Sequence, residues 1–309
     1  SATRGENIGE LSNNIDGMSK RKPKNVGRSI RERLMNLRRE SSHEYMYILQ
    51  RYFNERLLYR VSVSKYCDNF LLKGGSLLYA HNGLNCRPTV DVDFMASRIS
   101  RDQDELVRVF KEILSIVCME DGVEFDIVGM NPTPIAVDKK YPGVRLPFKA
   151  KMDTIVHEMS IDIGFGDIVT PAPVELEYPV LLERIPEVKL MAYSLETVVA
   201  EKFHAMIDRD ETNSRMKDFF DVYQIFKAEQ VDEDVLAEAI RNTFHNREIC
   251  YHVGVHVFLP EFATDEMRVK RWKKFLKDIK YAEELPFEEV MAYLKEKLEK
   301  YWSEDFLNE

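Results

Sequence analysis

Two aspartates, Asp91 and Asp93, alternate with Val90, Val92 and Phe94, and a Gly74-Gly75-Ser76 turn lies shortly before them. Successive side chains of a strand point to opposite faces, so the two carboxylates share one face while the apolar residues enter a core. A carboxylate pair on one strand face suits a hard divalent cation such as Mg²⁺ or Mn²⁺. The turn ahead of it offers backbone N–H groups, and Ser76 adds a hydroxyl; together with Gly75 they can cradle phosphate. The combination points to a site for a nucleoside triphosphate (NTP) and its metal.

Further charged residues could join that site. Asp162 alternates with Ile161 and Ile163 as the first pair does with its neighbours, which makes it the candidate third carboxylate; Asp126 and Asp167 are its rivals. Lys202 lies beside a helical stripe of Leu195, Val198, Val199, Phe203 and Met206. A lysine there can reach a cleft as a point charge on phosphate, or snorkel over apolar surface. Lys217-Asp218 opens another apolar-rich stretch, where an acid also suits the first turn of a helix. Arg209 and Arg215 flank a polar loop and could contact triphosphate or RNA. Lys73 is placed to brace a carboxylate, and Arg87 to neutralise the aspartate pair. The histidines show no metal spacing.

Elements must hold these groups in place. Apolar residues at three- and four-residue steps predict helix from about Asn25 to Arg60, broken at Ser41-Ser42, with the second helix capped there. Strands are expected at Val90 to Met95, Val123 to Ile127, Arg145 to Ala150 and Met159 to Ile163, and a helix at Gln103 to Val117. Thr170 to Pro186 reads as a loop with one short strand around Tyr178 to Leu182. From Ser194, a helix N-cap, the chain turns helical, over residues 194–208, 214–227, 233–242, 265–278 and 286–300.

The chain has 309 residues, 44% hydrophobic and 31% charged, as expected of an ordinary globular protein. No apolar run approaches the roughly 20 residues of a membrane span, and no signal peptide is expected. Four scattered cysteines form no C-x-x-C, which fits a reducing cytoplasm. Net charge is -9, but two basic runs stand out. One extends from Lys20 to Arg39 and the other from Lys270 to Lys277. Such local patches decide whether phosphate backbones are met.

The run Leu72-Lys73-Gly74-Gly75-Ser76 followed by Arg87-Pro88-Thr89-Val90-Asp91-Val92-Asp93-Phe94 resembles the AbiEii/AbiGii-type nucleotidyltransferase toxins of the polymerase-β superfamily. Segments 195–205 and 215–223 resemble two further motifs of that group, in the right order. The resemblance implies an α+β fold: a polymerase-β-type core with a mixed sheet and flanking helices, then a helical C-terminal domain. Expected divisions are a flexible leader over residues 1–24, a nucleotidyltransferase core over 25–190 and the helical domain over 191–309. It also implies catalytic roles for Asp91, Asp93, Lys202 and Asp218, a metal set of Asp91, Asp93 and Asp162, and NTP contacts from Gly75, Ser76, Lys202 and Arg215. Asp218 would orient the lysine or act as general base. The implied activity is metal-dependent transfer of NMP to an acceptor, with the tRNA 3′ end first; the alternatives are transfer to a protein hydroxyl and a catalytically silent module that binds NTP. The implied setting is a bacterial toxin–antitoxin or phage-defence pair, with a cognate antitoxin as partner.

Overall fold

Asn25 starts the first helix: its side chain accepts the Arg28 N–H and caps α1 (Val26–Glu40). The computed structural model describes residues 25–83, 86–135 and 142–308; the expected leader and its basic residues up to Lys24 lie outside the described residues. The chain does break at Ser41-Ser42, but neither serine caps α2 (Tyr45–Ser62). Glu44 occupies that position without a side-chain cap, and Ser41 ends α1 instead.

Helix α2 is buried around most of its circumference, charged residues included. Buried charges persist when paired: Arg60 is paired with Asp121 and Arg56 with Glu55 at 2.6 Å, while Arg51 donates to the Arg87 carbonyl and lies over the Tyr79 ring at 4.3 Å. Burial outweighs Arg56 at Glu55 and pushes its carboxyl from 4.5 up to about 7. A group whose folded pKa is raised contributes stability at pH below 4.5, and that contribution is lost as pH rises through 7. The melting temperature should therefore fall from pH 5 to pH 8, by the equivalent of at most roughly 3 kcal/mol from this group. Glu55→Gln keeps an acceptor for the Leu181 N–H and should flatten that part of the profile. Equal slopes for both proteins in calorimetry would rule Glu55 out as the cause.

The sheet is mixed and eight-stranded. Its strands are β1 (Phe70–Lys73), β2 (Val92–Ala96), β3 (Glu124–Asp126), β4 (Thr133–Ile135), β5 (Gly143–Met152), β6 (Ile155–Phe165), β7 (Val174–Tyr178) and β8 (Val188–Ala192). Their order is β3-β5-β6-β2-β1-β8-β7, with β4 paired to β5. Helices α3 (Gly74–Asn82) and α4 (Gln103–Leu114) follow β1 and β2. Central β1 is apolar and buried at Phe70, Leu71 and Leu72, so it lacks the alternation that marks a half-buried strand. That is why β1 escapes a periodicity reading. β4 and β8 are also additional to the expected strands, and the strand expected near Tyr178 to Leu182 lies earlier, at Val174–Tyr178. β2 begins at Val92, which leaves Val90 exposed rather than in the core.

The C-terminal region is helical, as expected: α5 (Leu195–Arg209), α6 (Met216–Lys227), α7 (Glu233–Asn246), α8 (Pro260–Thr264), α9 (Glu266–Asp278), α10 (Phe287–Leu298) and α11 (Glu304–Asn308). Ser194 caps α5 by accepting the Thr197 N–H. One buried apolar cluster runs from Ile30 through the sheet to Trp302. Among the described residues no helix is long and apolar enough to cross a membrane.

Candidate active site

Strand register assembles the first half of the site. β1 sets Lys73 opposite Asp93, β2 sets Asp93 opposite Asp162, and β6 sets Asp162 opposite Arg145. Side chains of residues in register stand on one face of a sheet. A row of charges, cation–anion–anion–cation, therefore crosses four strands, while Val92, Phe94, Ile161 and Ile163 fill the core behind it.

The members of the row have different environments. Asp162 accepts both Nε and Nη2 of Arg145 at 2.7 Å, and the same Nη2 reaches Asp91 at 3.2 Å. Ser160 donates to the other oxygen of Asp91. Asp93 makes no hydrogen bond or ion pair with the described residues. Burial, and after it the neighbouring Asp162, raises its carboxyl from 3.8 to about 6. Its carboxylate also lies over the turn that precedes α3. Gly74 has φ +67°, and a Cβ there would sit 2.1 Å from Asp93 Oδ2. Only glycine suits both that conformation and that approach.

The turn itself corrects one expectation. Ser76 is fully buried and its hydroxyl has no partner among the described residues. α3 begins at Gly74, and this placement buries Ser76 together with Leu77 and Leu78. Backbone N–H groups at the start of α3 thus remain as the means by which Gly75 and Ser76 could meet an anion.

Helices α5 and α6 supply the second half. Lys202 Nζ bonds Asp218 Oδ1 at 2.7 Å and Asp221 Oδ2 at 2.9 Å. Arg215 Nε donates to Asp218 Oδ2 at 2.6 Å, and Arg87 clamps both oxygens of Asp221 at 2.7 and 2.8 Å. Arg87 is therefore spent on α6 and does not neutralise the aspartate pair; Arg145, unmarked by any motif, does that for Asp91 and Asp162. Asp218 is buried, yet Lys202 and Arg215 hold its carboxyl down at about 2. With both oxygens occupied, it is a poor proton acceptor and a good anchor for Lys202. Exposed Lys217 adds a cation whose charge reaches Asp93. Arg87, Lys202, Arg215 and Lys217 outnumber Asp218 and Asp221, which leaves the cluster net positive.

A brace joins the two halves. Lys73 bonds Asp167 and Glu201 at 3.1 Å each, and Arg247 bonds the same two acids at 2.8 and 3.2 Å. Glu201 precedes Lys202, so the brace fixes the stretch of α5 that presents the lysine. Of the rival acids, Asp167 belongs to this brace and Asp126 pairs with Lys151 at 2.7 Å on the outer part of the sheet. Arg145, Glu201 and Arg247 are absent from the sequence-based set; only the adjacency of Glu201 to Lys202 hinted at one of them.

Whether the acids suit a metal can be judged from their surroundings. Among the described residues no three His, Cys, Asp or Glu side chains are gathered for an ion. Arg145 occupies Asp91 and Asp162 with its guanidinium. The donor chemistry nevertheless fits a hard dication: Asp93 has no partner among the described residues, burial and then the facing Asp162 raise its carboxyl, and Asp91 is two residues away.

A model of the family described as "Nucleotidyl transferase AbiEii toxin, Type IV TA system" matches residues 56–296, which include every site residue named above. Among solved structures, a protein from H. pylori provisionally described as a nucleotidyltransferase is 18% identical, over 84% of this chain and 98% of that one, with a TM-score of 0.49. JHP933 from Helicobacter pylori is 20% identical over the same shares, with a TM-score of 0.45. No curated protein matches.

Proposed function

This chain belongs to the AbiEii nucleotidyl transferase toxin family of Type IV toxin–antitoxin systems, and we propose that it transfers NMP from an NTP to the 3′ end of tRNA. Membership makes it a nucleotidyltransferase toxin with an NTP substrate and an antitoxin partner; the acceptor, the metal and a role in phage defence belong to the proposal. The observation that carries it is the Lys73–Asp93–Asp162–Arg145 row, with the cation-rich cluster of α5 and α6 beside it.

The acceptor hydroxyl gives up its proton to water, its oxygen bonds to the α-phosphorus, and the bond from that phosphorus to the oxygen bridging to the β-phosphate breaks as pyrophosphate leaves. Asp91 and Asp93, with Asp162, would hold a divalent cation, which when bound neutralises charge on the triphosphate and on the leaving group. Lys202, Arg215 and Lys217 hold the triphosphate electrostatically, in a frame fixed before substrate arrives. Asp218 and Asp221 keep Lys202 extended from α5. The brace keeps α5 against the strand that carries Lys73.

Incubation of the protein with total bacterial RNA, Mg²⁺ and each α-³²P-NTP in turn tests this reading. Label is expected in the tRNA band and absent with Asp93→Asn. Label in protein bands instead would move the acceptor to a protein hydroxyl. Arg145→Gln separately tests the metal set. It frees Asp91 and Asp162 and should tighten Mn²⁺ binding by roughly tenfold, read from the free-ion EPR signal. Unchanged affinity would show that Arg145 does not compete for those acids.

A further inference from the structure

The two basic runs have different fates in the fold. On α1 most of the arginines are committed within the protein. Arg28 pairs with Glu32 at 3.2 Å, Arg31 with Asp153 at 2.8 Å, Arg33 with the Glu183 carbonyl and Arg39 with Asn36. On α9 the reverse holds. Lys270, Arg271, Lys273, Lys274 and Lys277 are exposed, and none makes a hydrogen bond or ion pair with the described residues. Between Lys270 and Lys277 the helix has no acid; Glu266 and Asp278 stand at its two ends.

The opposite side of α9 is fixed to the site. Trp272 is buried, and the Phe220 ring of α6 packs on Trp272 and Phe275 at centroid distances of 6.2 and 5.5 Å. Arg268, in the first turn of α9, donates to the Glu211 carbonyl shortly before Arg215. The free cations are therefore mounted on the helix that packs against the carrier of Lys217, Asp218 and Asp221.

We infer that the exposed face of α9 docks the phosphate backbone of the RNA acceptor beside Arg215 and Lys217; this rests on the reading that the acceptor is RNA. Lysines on flexible stems meet phosphates as point charges, without a fixed fork geometry. They give affinity without sequence selection. A protein partner fits this face poorly, because interface cores are depleted in lysine and built on apolar anchors. Met267 is the one large apolar side chain exposed on α9 among the described residues.

The test is fluorescence anisotropy of labelled total tRNA against the whole protein over a range of salt concentrations. Lys273→Gln/Lys274→Gln/Lys277→Gln is compared with Lys65→Gln/Lys149→Gln/Lys189→Gln, three exposed lysines that already have acidic partners. The α9 triple should weaken binding roughly tenfold to a hundredfold at low salt and reduce the slope of log K against log salt by about 2 to 3. The control triple should leave the slope unchanged, and all three proteins should melt alike. An unchanged slope for the α9 triple, or an equal loss in the control, overturns the inference. So does poly-glutamate binding that equals RNA binding and is lost in the same triple, since the face would then serve an acidic polypeptide. Labelling with α-³²P-NTP separates the two readings. RNA labelled as well by the α9 triple, with its affinity intact, sinks the docking surface alone. RNA bound through α9 yet never labelled sinks the transfer reading alone.

Discussion

Asp93→Asn is expected to lower nucleotide transfer by roughly 10³-fold while raising the melting temperature in EDTA at pH 8. The two effects have one cause. Asp93 stands within the sheet-crossing row, half-buried, facing Asp162 and with no partner among the described residues, and its carboxyl is raised to about 6. Above that pH the protein holds an ionised group that it disfavours; asparagine has nearly the same shape and no charge. Relief of that penalty is worth on the order of 2 kcal/mol, and a protein of this size gains about 2 to 4 °C per kcal/mol. An activity loss accompanied by a lower melting temperature would mean that Asp93 is structural.

Lys202→Met is expected to abolish transfer and also to destabilise the protein, by roughly 3 kcal/mol. Lys202 is the shared partner of two buried carboxylates, Asp218 and Asp221. Arg215 and Arg87 remain on them, which keeps the loss at the lower end for a broken buried pair. Asp221→Asn in the same chain should restore much of the stability and none of the activity. Urea unfolding with α-³²P-NTP labelling reads both. The pH dependence provides a second check: the depressed carboxyl of Asp218 contributes stability at pH above 3.8, lost as pH falls through about 2. Removal of Lys202 should raise the pH at which acid unfolding begins. A Lys202→Met protein as stable as the parent would show that the arginines alone hold the acids.

The sequence displayed the ingredients of the site more clearly than their arrangement. Asp91, Asp93 and Asp162 were visible because each stands between apolar residues, and Lys202 and Asp218 because they begin or flank apolar helix faces. Arg145 was hidden because its role depends on the β5–β6 register, which no local pattern encodes. The row needs the parallel pairing of β2 with β6, a contact between segments far apart in the chain. Arg87 was misassigned for the same reason, since its partner Asp221 is a helix away in another region. Local capping was read well at Ser194, where the signal is a hydroxyl three residues from its donor. It was read wrongly at Ser41-Ser42, where the break itself was right.

The brace of Lys73, Asp167, Glu201 and Arg247 gives this toxin an order of events during its own synthesis. A ribosome delivers Asp91, Asp93 and Asp162 first, but Lys202, Asp218 and the last brace member, Arg247, emerge only afterwards. At about 5 to 20 residues per second, that interval lasts several seconds. Until it ends, the nascent chain carries its acids and Lys73 without Arg247, the other cation of the brace that holds α5 beside them. A chain truncated before Arg247 would carry Asp91, Asp93 and Asp162 without the complete brace between α5 and the sheet.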